Sequence, residues 1–179
     1  YLCFFNKEDM KSNKNIVLLG MMGSGKSTIG YHLSKKMNFQ FFDIDKIIEK
    51  EEGEQIKDIF SLKGESYFRR IEEKITLKSL KNSKSIVSLG GGAFLNKRIR
   101  EEVLTNHFSF WLNLNNTTII NRIKNSKNRP KLINLSEKQL KKLIFERDEI
   151  YSKAKFKIDC EKLNKSQIVK LIINYYDES

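Results

Sequence analysis

The chain has 179 residues, of which 39% are hydrophobic and 31% charged, and its formal net charge at pH 7 is +12. That length suits one compact domain, and no apolar run approaches the length that crosses a bilayer, so a membrane-spanning role is excluded. Its two cysteines, Cys3 and Cys160, form neither a disulfide framework nor a zinc-ligand pattern. A reducing, cytoplasmic compartment is therefore expected.

The N-terminal residues 1–9 are predicted to lie outside the domain. Their apolar stretch is too short for the apolar part of a signal peptide, and acidic Glu8 and Asp9 follow it directly. Met10 begins a polar stretch typical of a natural start. We therefore expect an extension or disordered segment at 1–9 and a single domain over 10–179.

The positive charge would attract any polyanion, so nucleic acid is a partner to weigh. Lysine supplies most of the 34 basic residues, and the lysines are scattered along the whole chain. This distribution is typical of a solvated surface. We expect a monomer that binds neither nucleic acid nor membrane.

Apolar runs bounded by turn residues alternate with segments of helical period, which predicts an α/β fold with a mostly parallel sheet of about five strands. The predicted strands span 15–19, 39–42, 85–89, 108–114 and 155–159. The predicted helices span 26–37, 45–52, 65–80, 96–105, 117–124, 136–151 and 166–176. The polar, basic segment 125–134 holds the only proline, Pro130, and is predicted to be a mobile loop or lid.

Residues 20–27, GMMGSGKS, fit the phosphate-loop pattern G-x-x-x-x-G-K-[ST] in full, with Thr28 next. A buried strand precedes the pattern and an amphipathic helix follows it, which is the context the pattern requires. Glycines let backbone N–H groups converge on phosphate oxygens at a helix N-terminus. Lys26 would reach the β- and γ-phosphates of ATP, and Ser27 would ligate Mg²⁺. The predicted nucleotide-binding residues of this loop are Gly23, Ser24, Gly25, Lys26, Ser27 and Thr28.

Asp43 and Asp45 follow the second predicted strand, at the sheet edge where open α/β folds bind ligands. Aspartate also favours helix N-caps, and on spacing alone this interpretation is as good as a catalytic one. We expect the phosphate loop to end the neighbouring strand, which favours the catalytic interpretation.

Two further features follow these aspartates along the chain. Arg69 stands three residues before Glu72 in a long predicted helix. This spacing is typical of an ordinary surface ion pair, but it also suits a clamp for an anionic substrate in which Glu72 holds Arg69 in one rotamer. Residues 90–92 are three consecutive glycines after an apolar strand, which indicates a tight turn or a close approach of backbone to a ligand.

Taken in order, the phosphate loop, Phe-x-Asp-x-Asp, Phe-Arg-Arg-x-Glu, Gly-Gly-Gly-Ala and a late Arg-Pro resemble the shikimate kinase family over roughly residues 15–159. The resemblance implies a three-layer P-loop kinase fold with a mobile lid, and ATP- and Mg²⁺-dependent phosphorylation of the shikimate 3-hydroxyl in aromatic amino-acid biosynthesis.

The resemblance also implies roles for individual residues. Asp45 would bind the ring hydroxyls and act as the base, Gly91 would offer its backbone N–H, and Asp43 would orient water on Mg²⁺. Further implied positions are the carboxylate clamps Arg69 and Arg147, the lid arginine Arg129 that reaches the ATP phosphates, and Arg122 beside adenine. For Arg122 an ordinary surface charge on a polar helix is an equally good interpretation.

The sequence departs from the family in two places. The usual proline is missing between Arg147 and the tyrosine that follows, and acidic Glu146, Asp148 and Glu149 are expected to surround the Arg147 clamp. After the last strand no arginine is available for the adenine face.

Three alternatives remain at the level of sequence. A gluconate-type or nucleotide kinase shares the phosphate loop but does not account for the later motifs together. An ATPase acting on nucleic acid would show polynucleotide-stimulated turnover. A binder with a decayed acceptor site would be expected to have lost Lys26, Asp45 or Arg69, and all three are present.

Overall fold

The fold is a five-stranded parallel sheet with helices on its faces, as a computed structural model describes it for residues 14–125 and 135–179. Along the sheet the strand order is β2-β3-β1-β4-β5. The strands are β1 (Ile16–Leu19), β2 (Gln40–Asp43), β3 (Ser85–Ser88), β4 (Phe108–Asn113) and β5 (Phe156–Asp159).

Eight α-helices lie in the described ranges, and all but one of them match a predicted helix to within one residue at each end. They are α1 (Lys26–Met37), α2 (Ile44–Glu52), α3 (Ile56–Leu62), α4 (Gly64–Leu80), α5 (Lys97–Asn106), α6 (Asn116–Lys124), α7 (Glu137–Tyr151) and α8 (Lys165–Asp177). Helix α3 was not predicted, because it has only seven residues and only Ile59 is fully buried. A short 3₁₀ turn, Ala93–Leu95, is a second unpredicted element.

The order of the strands decides which helices share a face. The chain runs in one direction along the sheet from β1 to β2 and in the opposite direction through β3, β4 and β5. Since crossovers between parallel strands are right-handed, α1 lies on one face and the later crossover helices lie on the other. Helix α8 packs against α1 and completes the first layer.

The central strands are buried from both sides, and this explains their continuous apolar sequences. Ile16, Val17 and Leu18 of β1 have no exposed surface, and neither do Ile86 and Val87 of β3. Burying such side chains is worth about 1.5–3 kcal/mol each. The predicted α/β class and parallel sheet are therefore confirmed.

One topological expectation is wrong. Strand β3 lies between β1 and β2, so the phosphate-loop strand and the Asp43 strand are not neighbours. Asp43 is instead in register with Ser88 at the end of β3. The chain order of strands does not reveal this, because the right-handed crossover through α1 skips one position in the sheet.

No helix in the described ranges is both long and apolar enough to cross a bilayer.

Candidate active site

The phosphate loop turns from β1 into α1 through three glycines with left-handed backbone. The φ angles of Gly20, Gly23 and Gly25 are 136°, 78° and 95°, in a region that residues with a Cβ rarely adopt. At Gly20 a Cβ would also lie 2.7 Å from the Leu112 carbonyl oxygen. The glycine positions of the predicted motif are thus required by the backbone itself.

Lys26 is the first residue of α1, and its side chain folds over the loop. Its Nζ donates to the carbonyl oxygens of Gly20 and Met21, both at 2.9 Å, and the residue is only 7% exposed. These bonds fix the ammonium at the centre of the loop, at the N-terminus of a 12-residue helix. Both the charge and the helix terminus attract anions.

A cavity of about 440 Å³ lies beside the loop and joins it to the edge of the sheet. Strands β2 and β3 contribute polar groups at the carboxyl ends where they pair. The cavity is lined by Met22, Gly23, Gly25, Lys26, Ser27, Thr28, Asp43, Asp45, Ser88, Leu89, Arg122 and Ile123. The structure therefore brings together most of the predicted nucleotide- and metal-binding residues.

Asp43 serves as the N-cap of α2 and also lines the cavity. Its Oδ1 accepts from the Lys46 backbone N–H at 3.4 Å, whereas its Oδ2 is buried with no hydrogen-bond partner among the described residues. Asp43 is therefore both a helix N-cap and a residue of the candidate site. Because an unpaired buried carboxylate oxygen is costly, Oδ2 fits a metal ion or its water ligand.

Gly90 and Gly92 leave room for three charged side chains. A Cβ at Gly90 would lie 2.5 Å from Glu72 Oε1 and 2.7 Å from Asp45 Oδ1, and a Cβ at Gly92 would lie 2.5 Å from Arg69 Nη1. At Gly91 the nearest groups would be the Met22 backbone nitrogen at 3.3 Å and Arg147 Nη1 at 3.7 Å. We call residues 90–92 the acceptor loop.

Arg69 faces the acceptor loop and is held there by acidic partners. Its Nη1 lies 2.7 Å from Glu72 Oε2, and its Nη2 lies 3.2 Å from Glu65 Oε1. Glu72 is only 2% exposed, so this is not the ordinary surface pair that the spacing alone allowed. Burial by itself lowers the pKa of Arg69, but Glu72 and Glu65 outweigh it and raise that pKa above its usual value.

Arg147 lies on α7 and faces the interior, with 9% of its surface exposed. Its Nη1 contacts Met21 Sδ at 3.7 Å, and its Nε is buried without a hydrogen-bond partner among the described residues. An unpaired buried donor on a fixed cation suits an anionic ligand.

The expectation that acidic neighbours surround Arg147 is wrong. Successive helical residues point about 100° apart, so Glu146 and Glu149 are exposed on α7 and Asp148 is half-buried. Glu146 pairs instead with Lys142, at 3.8 Å, while the Arg147 guanidinium contacts Met21 Sδ. Burial raises the pKa of the Asp148 carboxyl, and the positive charge of Lys157 partly offsets this increase.

Arg122 reaches the phosphate loop from α6. Its Nη1 donates to the Gly23 carbonyl at 2.6 Å. A Cβ added at Gly23 would lie 3.3 Å from the Arg122 Cβ, so the two residues are closely packed. This contact distinguishes Arg122 from an ordinary surface charge. The other predicted nucleotide-contacting arginine, Arg129, lies outside the described residues, as does most of the predicted lid at 125–134.

Two site residues were missed at the level of sequence. Ser88 ends β3 opposite Asp43 and lines the cavity. Tyr151 is 1% exposed, and its hydroxyl donates to the Gly91 carbonyl. Its position four residues after Arg147, on the same helical face, could have suggested a shared target.

Comparisons with known proteins agree with this geometry. The family model described as shikimate kinase matches residues 22–177. Shikimate kinase from Sulfurihydrogenibium sp. is 44% identical over 160 residues, covering 89% of this chain and 96% of the relative.

Two solved structures resemble the whole described fold. Shikimate kinase from Acinetobacter baumannii in complex with shikimate matches with a TM-score of 0.87 at 28% identity, covering 96% of this chain and 97% of that one. Shikimate kinase from Aquifex aeolicus matches with a TM-score of 0.83 at 33% identity, covering 91% and 96%.

Proposed function

Because the chain belongs to the shikimate kinase family, we propose that it transfers the γ-phosphoryl group of ATP to the 3-hydroxyl of shikimate. The products are shikimate 3-phosphate and ADP, within the biosynthesis of chorismate and the aromatic amino acids. One observation carries the proposal: the acceptor loop brings Asp45, Arg69 and Arg147 together beside a complete phosphate loop.

The two arginines provide the recognition of the substrate carboxylate. Arg69 and Arg147 lie against Gly92 and Gly91 respectively, so their guanidinium groups reach the acceptor loop from two different helices. Guanidinium groups bind carboxylates through paired hydrogen bonds. A cyclic acid would be fixed at its carboxylate end, with its hydroxyls directed at the carboxylates near Gly90.

Asp45 is the proposed general base. It lies in the first turn of α2, lines the cavity with Lys26, and has its Oδ1 near Gly90. A carboxylate between the acceptor loop and the phosphate loop can accept the hydroxyl proton as the oxygen attacks the γ-phosphorus. It also holds that oxygen in line with the phosphoryl group, which accounts for much of the catalysis in such reactions.

The phosphate loop and Lys26 bind the triphosphate of ATP. Phosphate oxygens compete with the carbonyls of Gly20 and Met21 for the Lys26 ammonium, and the charge then stabilises the negative charge that develops on the transferred group. Gly23, Ser24, Gly25, Ser27 and Thr28 supply backbone and hydroxyl donors around it.

The donors present fit Mg²⁺, which prefers oxygen ligands and keeps several waters. Ser27 and Asp43 line the same cavity, and the unpartnered Asp43 Oδ2 is the feature that such an ion or its water would satisfy. When bound, Mg²⁺ neutralises phosphate charge. Ser88 gives a further hydroxyl at this edge.

Two arginines complete the nucleotide side. Arg122, bonded to Gly23, is proposed to flank adenine. Arg129, in the predicted lid 125–134, is proposed to reach the ATP phosphates as an internal arginine finger when the lid closes. We further propose that residues 10–179 act as one domain, in a cytoplasmic monomer that binds neither nucleic acid nor membrane.

The deciding experiment is a coupled ADP-release assay with Mg-ATP and shikimate, gluconate or no acceptor. Turnover with shikimate alone is expected, and mass spectrometry should show one phosphate added to the acceptor. Turnover with gluconate would reassign the acceptor. Hydrolysis of ATP that DNA or RNA stimulates would overturn the kinase proposal in favour of a nucleic-acid ATPase.

A further inference from the structure

The acceptor loop has all three of its carbonyl groups engaged inside the protein. The Gly90 carbonyl accepts from the Ala93 backbone N–H at 3.0 Å, and the Gly92 carbonyl accepts from Leu95 at 3.1 Å. Both bonds belong to the turn that follows the loop. The middle carbonyl, that of Gly91, is bound by a side chain from a distant helix, the Tyr151 hydroxyl.

The backbone N–H groups of the same loop are left available. In the described ranges no backbone carbonyl receives a hydrogen bond from the backbone N–H of Gly90, Gly91 or Gly92. Gly90 and Gly91 are nevertheless buried, and buried backbone donors are nearly always paired. Three successive donors without a backbone acceptor, with the Arg147 and Arg69 guanidinium groups beside Gly91 and Gly92 and two carboxylates beside Gly90, are suited to the oxygen atoms of a ligand.

The packing around Tyr151 restrains its side chain and stabilises its hydrogen bond to the Gly91 carbonyl. It is the last residue of α7 and packs against Trp111, with ring centroids 6.1 Å apart. Its hydroxyl also lies 4.0 Å from Met21 Sδ, the sulfur that Arg147 contacts. Burial raises the pKa of Tyr151 to about 12, so the hydroxyl keeps its proton and remains a donor at neutral pH.

We propose that Tyr151 is a positioning residue for acceptor binding, which fixes the Gly91 carbonyl and thereby directs the free N–H groups of the acceptor loop at the substrate. The inference rests on the proposed function, since it concerns the same acceptor. A peptide unit is planar and trans, so a Gly91 carbonyl directed at Tyr151 turns the Gly92 N–H the opposite way.

This arrangement gives α7 two distinct tasks at adjacent turns. Arg147 offers charge to the ligand, whereas Tyr151 acts through the backbone carbonyl of Gly91. Glycine needs such a restraint more than any other residue, because its backbone is the most mobile. Without the hydroxyl, the three donors would have to be ordered each time a substrate binds.

The test is Tyr151→Phe, which removes the hydroxyl and keeps the ring. The KM for shikimate is expected to rise about 10-fold, the scale of ordering the backbone of about one residue when the substrate binds, with kcat and the KM for ATP within about twofold. Tyr176→Phe is the matched control, because Tyr176 is also buried but packs on Phe39 and Phe108, and it should leave all three constants unchanged.

Amide exchange gives a readout that does not depend on turnover. The backbone N–H groups of Ala93 and Leu95, which bond the outer carbonyls of the acceptor loop, should exchange about 10-fold faster in Tyr151→Phe while the strands stay protected. An unchanged KM for shikimate, or an equal rise in both KM values, would overturn the positioning role.

The outcomes also separate the two proposals. A wild-type chain inactive on shikimate would overturn the proposed function, while the exchange rates of Ala93 and Leu95 would still decide whether Tyr151 fixes the loop. If Tyr151→Phe does not fold, protection of these amides in the wild-type chain supports the role. Exchange there at nearly the unfolded rate overturns it.

Discussion

The molecule has two glycine-rich loops at the same edge of the sheet, and they use glycine for different reasons. In the phosphate loop, Gly20, Gly23 and Gly25 all have left-handed φ angles, and a Cβ at Gly25 would meet no atom within 4 Å. At Gly25 the backbone conformation alone therefore requires glycine. In the acceptor loop none of the three glycines is left-handed.

The acceptor loop instead requires glycine because charged side chains crowd it. Asp45 and Glu72 approach Gly90, and the Arg69 guanidinium approaches Gly92, each closer than a Cβ would allow. The phosphate loop thus requires glycine mainly for its backbone conformation, whereas the acceptor loop requires it mainly for the space that neighbouring side chains occupy. Changes to the two loops should therefore fail in different ways.

The largest effect is expected from Lys26→Ala, which removes the central charge of the phosphate loop. We expect kcat/KM to fall by about 1000-fold or more, since one lost electrostatic donor costs about 100- to 1000-fold in kcat and ATP binding weakens as well. Titration calorimetry with Mg-ATP and steady-state kinetics measure both. Lys36→Ala, an exposed lysine on the same helix, is the control and should behave as wild type. Normal ATP binding by Lys26→Ala would contradict the assigned role.

Asp45→Asn should separate chemistry from nucleotide binding. Loss of the base should lower kcat by about 100- to 1000-fold while the Kd for ATP stays within a few-fold. The control is Asp58→Asn, because Asp58 also lies in the first turn of a helix, α3, and any effect on the helix dipole is shared. Retained activity would remove Asp45 from the mechanism.

The pair Gly92→Ala and Gly25→Ala tests the comparison of the loops directly. Gly92→Ala should displace the flexible Arg69 guanidinium, raising the KM for shikimate about 10-fold with little loss of stability. Gly25→Ala should force a Cβ into a left-handed backbone, costing about 1–2 kcal/mol of folding free energy and weakening ATP binding. Kinetics and urea unfolding of both variants provide the measurement. Identical patterns in the two variants would break the distinction between the loops.

The smallest expected effect concerns the pH dependence of stability. The pKa of Tyr151 is raised from 10.0 to about 12 in the folded state. The folded protein thus holds the proton more tightly, so this stabilisation is complete below pH 10 and is lost as the pH rises towards 12. The free energy of unfolding should fall by about 1 kcal/mol more in wild type than in Tyr151→Phe between pH 9 and 11. Wild type and Tyr151→Phe share all their other titratable groups, including the lysines. Parallel stability curves for the two proteins would therefore argue against burial of the Tyr151 hydroxyl.

Much of the fold could be predicted from the sequence because its signals are local. Strands β1 and β3 are continuous apolar runs, and α1 follows a complete phosphate-loop motif, so both types of element were placed to within a residue or two. Helix α3 was missed because seven residues carry too little periodicity. The position of β3 between β1 and β2 was missed because strand pairing is a long-range property.

The candidate site divides in the same way. The sequence by itself determined the phosphate loop with Lys26, since glycine conformation and helix capping depend on adjacent residues. It also placed Asp43 and Asp45 at the end of a strand. Only the tertiary structure decided that Glu72 is buried against Arg69, that Arg147 turns away from its acidic neighbours, and that Tyr151 bonds Gly91. These pairings depend on how separate helices pack around the sheet, and spacing along the chain does not encode the distance between them.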